Sequence, residues 1–172
     1  SLMALSSATA GYRGGPADAN ADVDYGIYQG VERYNEGDGD ATGLVDNSGS
    51  IWLGASAFAE SQSGSASANA SADYGIYQYV QRYNGGDGNA TGTVINSSSD
   101  TIALWADAFA DGQDSASARA TTSYGIYQNV QRYNSGLGTA TGNIVNTGTV
   151  MLGSAAHADS QSGSANANAT AD

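Results

Sequence analysis

The sequence predicts an all-β chain: a flattened two-layer β-solenoid of seven coils of about 24–25 residues, with two strands to a coil, filling residues 1–172 as a single domain. Three observations predict it. The segment Tyr25-Gly26-Ile27-Tyr28-Gln29 returns at Tyr74 to Gln78 and at Tyr124 to Gln128, so the chain is a repeat. Apolar residues alternate within each unit, which is the two-residue period of a half-buried strand and not the 3.6 of a helix. Leu, Ile, Val and Phe number only 24 of 172 residues, against 30 Ala and 24 Gly. That is too little large apolar surface for a thick core, because hydrophobic stabilisation scales with buried area, but it suits thin layers that approach closely.

The unit reads Tyr-Gly-Ile-Tyr-Gln-x-Val-x-Arg-Tyr-Asn, then a Gly/Asp turn, Ala-Thr-Gly, an apolar pair, Asn, and a long Ala-alternating stretch. Each unit also matches itself at about half its length: Gly26 onward lies over Ser50 onward at an offset of 24, Ile76–Tyr83 over Ile102–Phe109, and Ile126–Tyr133 over Val150–His157. Coils then begin at residues 1, 26, 50, 75, 101, 125 and 149, alternating between an Ala-rich type and a Tyr/Gln/Arg type. The first stretch, Leu2 to Ala10, aligns more loosely with Ile51 to Ala59. Its other reading is the end of a secretory signal with Ala8-Thr9-Ala10 as the cleavage site.

Within a coil the elements follow from the alternation. Ile51, Leu53, Ala55, Ala57 and Ala59 share one face, and after a turn at Ser61-Gln62-Ser63-Gly64 so do Ala66, Ala68, Ala70 and Ala72. In the other type, Ile27 and Val31 precede a turn at Gly37-Asp38-Gly39-Asp40, followed by Ala41, Gly43, Val45 and Asn47. Gly and Asn at Asn47-Ser48-Gly49, Asn146-Thr147-Gly148, Gly86-Asp87-Gly88 and Gly136-Leu137-Gly138 mark corners, where positive φ is cheap for them. Such a coil cannot bury its inner face alone, so coils stack and complete one another's backbone hydrogen bonds. A string of antiparallel hairpins is the competing architecture, but it gives corresponding residues no reason to recur in every unit.

Stacking at half-unit spacing predicts two outward aromatic columns. One runs through Met3, Tyr28, Trp52, Tyr77, Ala103, Tyr127 and Met151, the other through Tyr34, Phe58, Tyr83, Phe109, Tyr133 and His157. In-register aromatics stabilise stacked strands and also leave an apolar stripe for a partner. Gln29, Gln78 and Gln128, with Asn47, Asn96 and Asn146, are amide-ladder positions. The half-unit spacing sets Ala4, Leu53, Leu104 and Leu152 between the glutamines, so their bonds are expected to go to backbone or water. Arg33, Arg82 and Arg132 share the inward parity, which requires either a partner for each guanidinium or a bulge that turns it outward.

Chemistry of other kinds finds little support. With no Cys, disulfides and thiolate metal sites are excluded. His157 stands where Phe58 and Phe109 stand and reads as one member of an aromatic column, and no acid–base pair for an enzyme emerges. Asp38, Asp40 and Asp87 are weak calcium candidates: their turns are too short for an EF-hand and lack its bidentate Glu, and Leu137 and Thr139 take their places in the third copy. No cofactor is expected beyond that possibility of calcium. Five Arg and no Lys against 17 Asp and Glu, a net charge of −12, argue against nucleic acid and anionic membranes and leave cations as counter-species. No apolar run is long enough to span a membrane as a helix.

Gly75-Ile76-Tyr77-Gln78-Tyr79 followed by Gly86-Asp87-Gly88-Asn89-Ala90 resembles the repeat of curlin-type functional amyloid subunits, in which an Ile-x-Gln strand, a Gly-rich turn with Asn and Ala, and a second strand make one coil. The resemblance implies a secreted subunit that polymerises, head to tail with copies of itself, into extracellular or cell-surface biofilm matrix fibres. Val45 to Ile51 and Val145 to Val150 are more weakly similar to strands of haemagglutinin-type and autotransporter passenger solenoids, which implies the alternative of a repeat segment of a large secreted adhesin that binds a surface or partner through its outward aromatics. The partners expected are thus copies of the chain, lateral fibre contacts or cations, with no nucleic acid and no membrane insertion.

Overall fold

The structure, a computed structural model, describes residues 1–34, 37–83, 86–133 and 136–172. Asn35, Asn84 and Asn134, which close the repeat motif, lie outside the described residues. The strands are β1 (Leu2–Tyr12), β2 (Ala17–Arg33), β3 (Ala41–Asn47), β4 (Ile51–Ser61), β5 (Ser65–Tyr83), β6 (Ala90–Asn96), β7 (Thr101–Gly112), β8 (Ser115–Thr122), β9 (Ile126–Tyr133), β10 (Ala140–Asn146), β11 (Thr149–Ser160) and β12 (Ala165–Ala171). Among the described residues there is no helix, and the chain is all-β with parallel strands in stacked sheets.

Three sheets are formed. The first runs β1-β4-β7-β11, the second β12-β8-β5-β2 with β9 also on β5, and the third β10-β6-β3. The chain visits them in turn, so that one rung, such as β1 to β3 or β4 to β6, crosses all three. Every strand pairing among the described residues is parallel, and each residue meets its counterpart 48 to 51 positions along: Thr101 faces Thr149, Leu2 faces Ile51, Ile76 faces Ile126 and Ile51 faces Ile102.

This register corrects the half-unit stacking. The rungs repeat at about fifty residues, not 24–25, and the Ala-rich and Tyr/Gln/Arg strands stand in different sheets instead of alternating in one. Each predicted aromatic column therefore divides in two. Tyr28, Tyr77 and Tyr127 stack apart from Met3, Trp52, Ala103 and Met151, and Tyr34, Tyr83 and Tyr133 apart from Phe58, Phe109 and His157. The reason lies in the interior. Half-unit stacking would set each inward-facing glutamine against Leu, with its amide unanswered, whereas full-unit stacking puts like on like and gives each of these amides a partner.

The predicted alternation holds in the burial of the strands that have a rung on both sides, such as β4, β5 and β6. Ala17 to Ala21, Ala55 to Ala59, Ala66 to Ala70, Ala106 to Ala110 and Ala116 to Ala120 contribute every second residue to one buried cluster made only of alanine, where the first sheet meets the first half of the second. Without longer side chains the two layers close on methyl groups alone. Larger residues gather where the three sheets converge: Val45, Ile51, Leu53, Ile76, Val94, Ile102 and Leu104. The second half of the second sheet lies on the third through Val80, Ala41 and Ala90.

Corners absorb irregularity. Three residues separate Asn47 from Ile51 and Asn146 from Val150, but five separate Asn96 from Ile102. A tight turn in which Asp100 N–H donates to the Ser97 carbonyl (3.0 Å) takes up the excess, and Ile102 still lands on Ile51.

Candidate functional site

The repeat motif builds its site where β2, β5 and β9 run into the glycine-rich turns before β3, β6 and β10. Gly39, Gly88 and Gly138 have φ of 137°, 146° and 144°, a region that side chains with a Cβ rarely adopt. The turns they make point carbonyl oxygens inward at the arginine column. Arg82 is completely buried. Its Nε donates to the Gly39 carbonyl (2.8 Å), and its Nη2 to those of Asp87 (3.0 Å) and Gly37 (3.3 Å). Arg132 Nε donates to Gly88 O (3.0 Å), and Arg33 Nη2 to Asp38 O (2.9 Å). The inward parity of the arginines is thus kept without a bulge. Peptide carbonyls of the same and the preceding rung supply the partners that burial demands.

The glutamines form a direct amide ladder, correcting the expectation that intervening leucines would interrupt it. Gln78 Nε2 donates to Gln29 Oε1 and Gln128 Nε2 to Gln78 Oε1, both at 2.7 Å. Each Nε2 also donates across to the third sheet, at the carbonyls of Leu44, Thr93 and Asn143. Gly43, Gly92 and Gly142 make room for it, since a Cβ at these positions would meet a glutamine Oε1 at 2.6–2.8 Å. A second ladder, of opposite polarity, runs through the corners: Asn47 Nδ2 donates to Asn96 Oδ1 (2.7 Å) and Asn96 Nδ2 to Asn146 Oδ1 (2.8 Å).

The calcium candidates are occupied differently. Asp38 Oδ1 accepts the N–H of Asp87 (2.9 Å), Asp40 Oδ1 that of Asn89 (2.7 Å) and Asp87 Oδ1 that of Leu137 (2.6 Å). The carboxylates extend the backbone ladder through the turn, rung to rung, and among the described residues no group of three or more His, Asp or Glu converges to hold a metal. The third copy's loss of carboxylate at Leu137 and Thr139 leaves their N–H groups still donating to the rung below.

Outside, the aromatics stack in their own columns. Ring centroids stand 5.5 and 5.0 Å apart along Tyr28–Tyr77–Tyr127, 4.7 and 4.9 Å along Tyr34–Tyr83–Tyr133, and 5.0 Å at both steps of Phe58–Phe109–His157. Tyr25–Tyr74–Tyr124 is a further column, at 5.4 Å for both steps, that sequence reasoning missed. Strict alternation places Tyr25 inside with Val23 and Ile27. The backbone instead turns Gly26 inward, where a Cβ would meet Gly75 O at 2.6 Å, and Tyr25 comes to lie outside against Tyr28. The recurrence of Tyr at the head of every motif was the available signal.

Tyr79 and Glu32 were also missed. Glu32 accepts a hydrogen bond from Tyr34 and, at 2.6 Å, from Tyr79. These bonds hold its carboxyl below the usual glutamate range, and Glu32 in turn pushes the Tyr34 phenol up to about 12 and Tyr79 higher still. On the first sheet Trp52 does not join the tyrosines. It lies with Met3, Leu5 and Trp105 around a wholly apolar hollow of about 110 Å³, with Trp105 leaning over Gly54. No protein-family model, curated protein or solved structure matches the chain.

Proposed function

We propose that this chain is an extracellular structural protein, a β-solenoid that joins end to end into a cross-β fibre of a cell-surface or biofilm matrix. One observation carries the reading. Arg82 Nε and Arg132 Nε each take a glycine carbonyl from the rung before them, while Arg33 Nε, buried in the first rung, has no hydrogen-bond partner among the described residues. A rung laid against β2 and β3 supplies the missing acceptor, and an unpaired buried donor is costly enough to favour that contact.

Other features support rung addition. Among the described residues β1, β2 and β3 have one unpaired edge each, and at the opposite end β11 and β12 stand one rung beyond β9 and β10, whose outer edges are also unpaired. Natural proteins usually blunt such edges. Within each sheet the strands run the same way, so a head-to-tail contact continues each parallel ladder, and a contact of that kind that does not close on itself grows a filament. The test is electron microscopy and fibre diffraction of the purified chain. Filaments with a strand repeat of about 4.8 Å along their axis are expected. They should form faster as salt screens the net charge of −12. A monodisperse monomer at high concentration and moderate salt overturns the reading.

A second reading, a segment of a longer adhesin, is favoured by the exposed apolar group on the first sheet. Met3, Leu5 and Trp105 are each more than half exposed, as at surfaces that meet partners. An open reading frame that runs on through many more such rungs into an anchor would support it, and the missing acceptor of Arg33 would then come from the same chain.

A further inference from the structure

Nine of the chain's eleven tyrosines stand in three columns, Tyr25–Tyr74–Tyr124, Tyr28–Tyr77–Tyr127 and Tyr34–Tyr83–Tyr133, with near-parallel rings at 4.7–5.5 Å. Tyr79 lies beside the middle column, 6.0 Å from Tyr28 and 6.5 Å from Tyr77. Tyr12 alone stands apart. The arrays face solvent, Tyr28 being 54% and Tyr124 48% exposed, so a soluble oxidant or the edge of an enzyme can reach them. Packing of aromatic rings does not require phenols, and Phe58 and Phe109 stack in the same way without a hydroxyl. What phenols add is one-electron chemistry.

We propose that the tyrosine columns are an oxidative cross-linking site, at which dityrosine bonds join successive rungs covalently, with Tyr79 and its hydrogen-bonded Glu32 as the point where oxidation begins. The oxidant is hydrogen peroxide delivered through a haem peroxidase. Tyr79 loses an electron to the peroxidase while its hydroxyl proton passes to the Glu32 carboxylate over the 2.6 Å hydrogen bond. An electron from Tyr28 or Tyr77 refills it, the proton returns from Glu32 to Tyr79, and the newly oxidised phenol releases its own proton to water. When a second phenol of the column has been oxidised likewise, the two radicals couple. A carbon–carbon bond forms between ring carbons next to the hydroxyls, and the hydrogen on each of those carbons is lost as the phenol oxygen regains one. In sum two tyrosines and one hydrogen peroxide give one dityrosine and two waters.

The proton acceptor matters because Tyr74, Tyr77 and Tyr79 hold their protons more tightly than an ordinary phenol. Burial raises Tyr74 and Tyr77 above the ordinary value, and the bond to Glu32 raises Tyr79, so loss of an electron requires somewhere for the proton to go. Glu32, held below the usual carboxylate range, is ionised and in place. In the later rungs Gln81 and Gln131 occupy its position and cannot accept a proton, which makes Tyr79, bonded to Glu32 across the first and second rungs, the place of entry.

The inference depends on the stacking of rungs and not on fibre formation, so the experiment uses the intact chain dilute and monomeric. It is treated with horseradish peroxidase and hydrogen peroxide, followed by dityrosine fluorescence and mass spectrometry of proteolytic fragments. Expected are intramolecular bridges between residues 49 or 50 positions apart, such as Tyr28–Tyr77, Tyr77–Tyr127 and Tyr74–Tyr124. Unfolding in urea should abolish that pattern. Tyr77→Phe, which keeps the ring and the stack, should remove both bridges of the middle column and leave those of the other two. Glu32→Gln, the residue type of the later rungs, should slow the onset of fluorescence several-fold with the same pairs joined. Bridges that are mainly intermolecular, that centre on Tyr12, or that survive unfolding overturn the site, and an unchanged rate in Glu32→Gln overturns Tyr79–Glu32 as its entry.

Discussion

Arg82 donates from Nε to the carbonyl oxygen of Gly39 across 2.8 Å, so that a buried charge in one rung is held by the turn of the rung before it. Truncation to Ala would strand the carbonyls of Gly39, Gly37 and Asp87 and open a cavity in a completely buried position. A loss of about 3 kcal/mol is expected from the stranded groups. Lys has no planar fork to reach three carbonyls at once and should recover less than half of it. Urea denaturation of the two variants checks both values.

Gly88 and Gly37 should answer substitution differently. At Gly88 φ is positive, and a Cβ would stand 2.3 Å from the Gly39 carbonyl oxygen, which is backbone and cannot give way. At Gly37 a Cβ meets nothing within 4 Å among the described residues. Gly88→Ala is expected to cost about 2 kcal/mol or more through strain and displacement of the turn. Gly37→Ala should stay within about 0.5 kcal/mol of the parent, as read from thermal unfolding of each variant.

Because Asp40 serves as an acceptor for the Asn89 N–H, its charge is dispensable and its oxygen is not. Asn89 does the same for Thr139 without a charge. Asp40→Asn should therefore leave stability nearly unchanged, whereas Asp40→Ala should lose about 1 kcal/mol, the net worth of one hydrogen bond. Melting temperatures in calcium and in sodium chloride at matched ionic strength should coincide. A calcium-specific rise that Asp38→Asn or Asp40→Asn removes would show a metal where the backbone is now bound.

The pair Glu32 and Tyr34 predicts two opposite pH dependences. The carboxyl of Glu32 is held below its ordinary 4.5, chiefly by Tyr34 and then by Tyr79, so its contribution to stability is present above 4.5 and is lost as pH falls through the lowered value. Tyr34 is raised from 10.0 to about 12, chiefly by its bond to Glu32. Its contribution is complete below 10 and disappears as pH rises through about 12. Titration of phenolate absorbance should show a step near 12 that Tyr34→Phe removes, and in that variant the Glu32 carboxyl resonance should titrate closer to 4.5.

Much of this was readable from residue order. Alternation gave the buried face of nearly every strand, because a period of two admits only one inward set once Ile51, Leu53 and the alanines are fixed. The repeat of Tyr25 to Gln29 located the strands that pair. The spacing of the stack was misread because the half-unit match of Ile76–Tyr83 with Ile102–Phe109 is real in sequence, yet it reflects two sheets that share an outward aromatic and an inward aliphatic, not strands that lie side by side. Partner identity decides that question. Gln78 pairs its side-chain amide with those of Gln29 and Gln128, and Arg82 reaches the carbonyls of the glycine turns. Tyr25 escaped because a local reversal at Gly26 defeats parity, and the Tyr79–Glu32 bond escaped because residues 47 apart meet only across neighbouring rungs.

The long register also governs how such a molecule comes into being. Thr101 must wait for Thr149, and Leu2 for Ile51, so no strand finds its hydrogen-bonding neighbour until roughly half a hundred amino acids more have been synthesised. The opening step is a large loop closure with little local reward, which is slow. Afterwards each newly made length lies down on a finished edge. Growth from a ribosome, one end first, fits that order of events, and in the proposed fibre an already folded molecule would serve as the edge for the next.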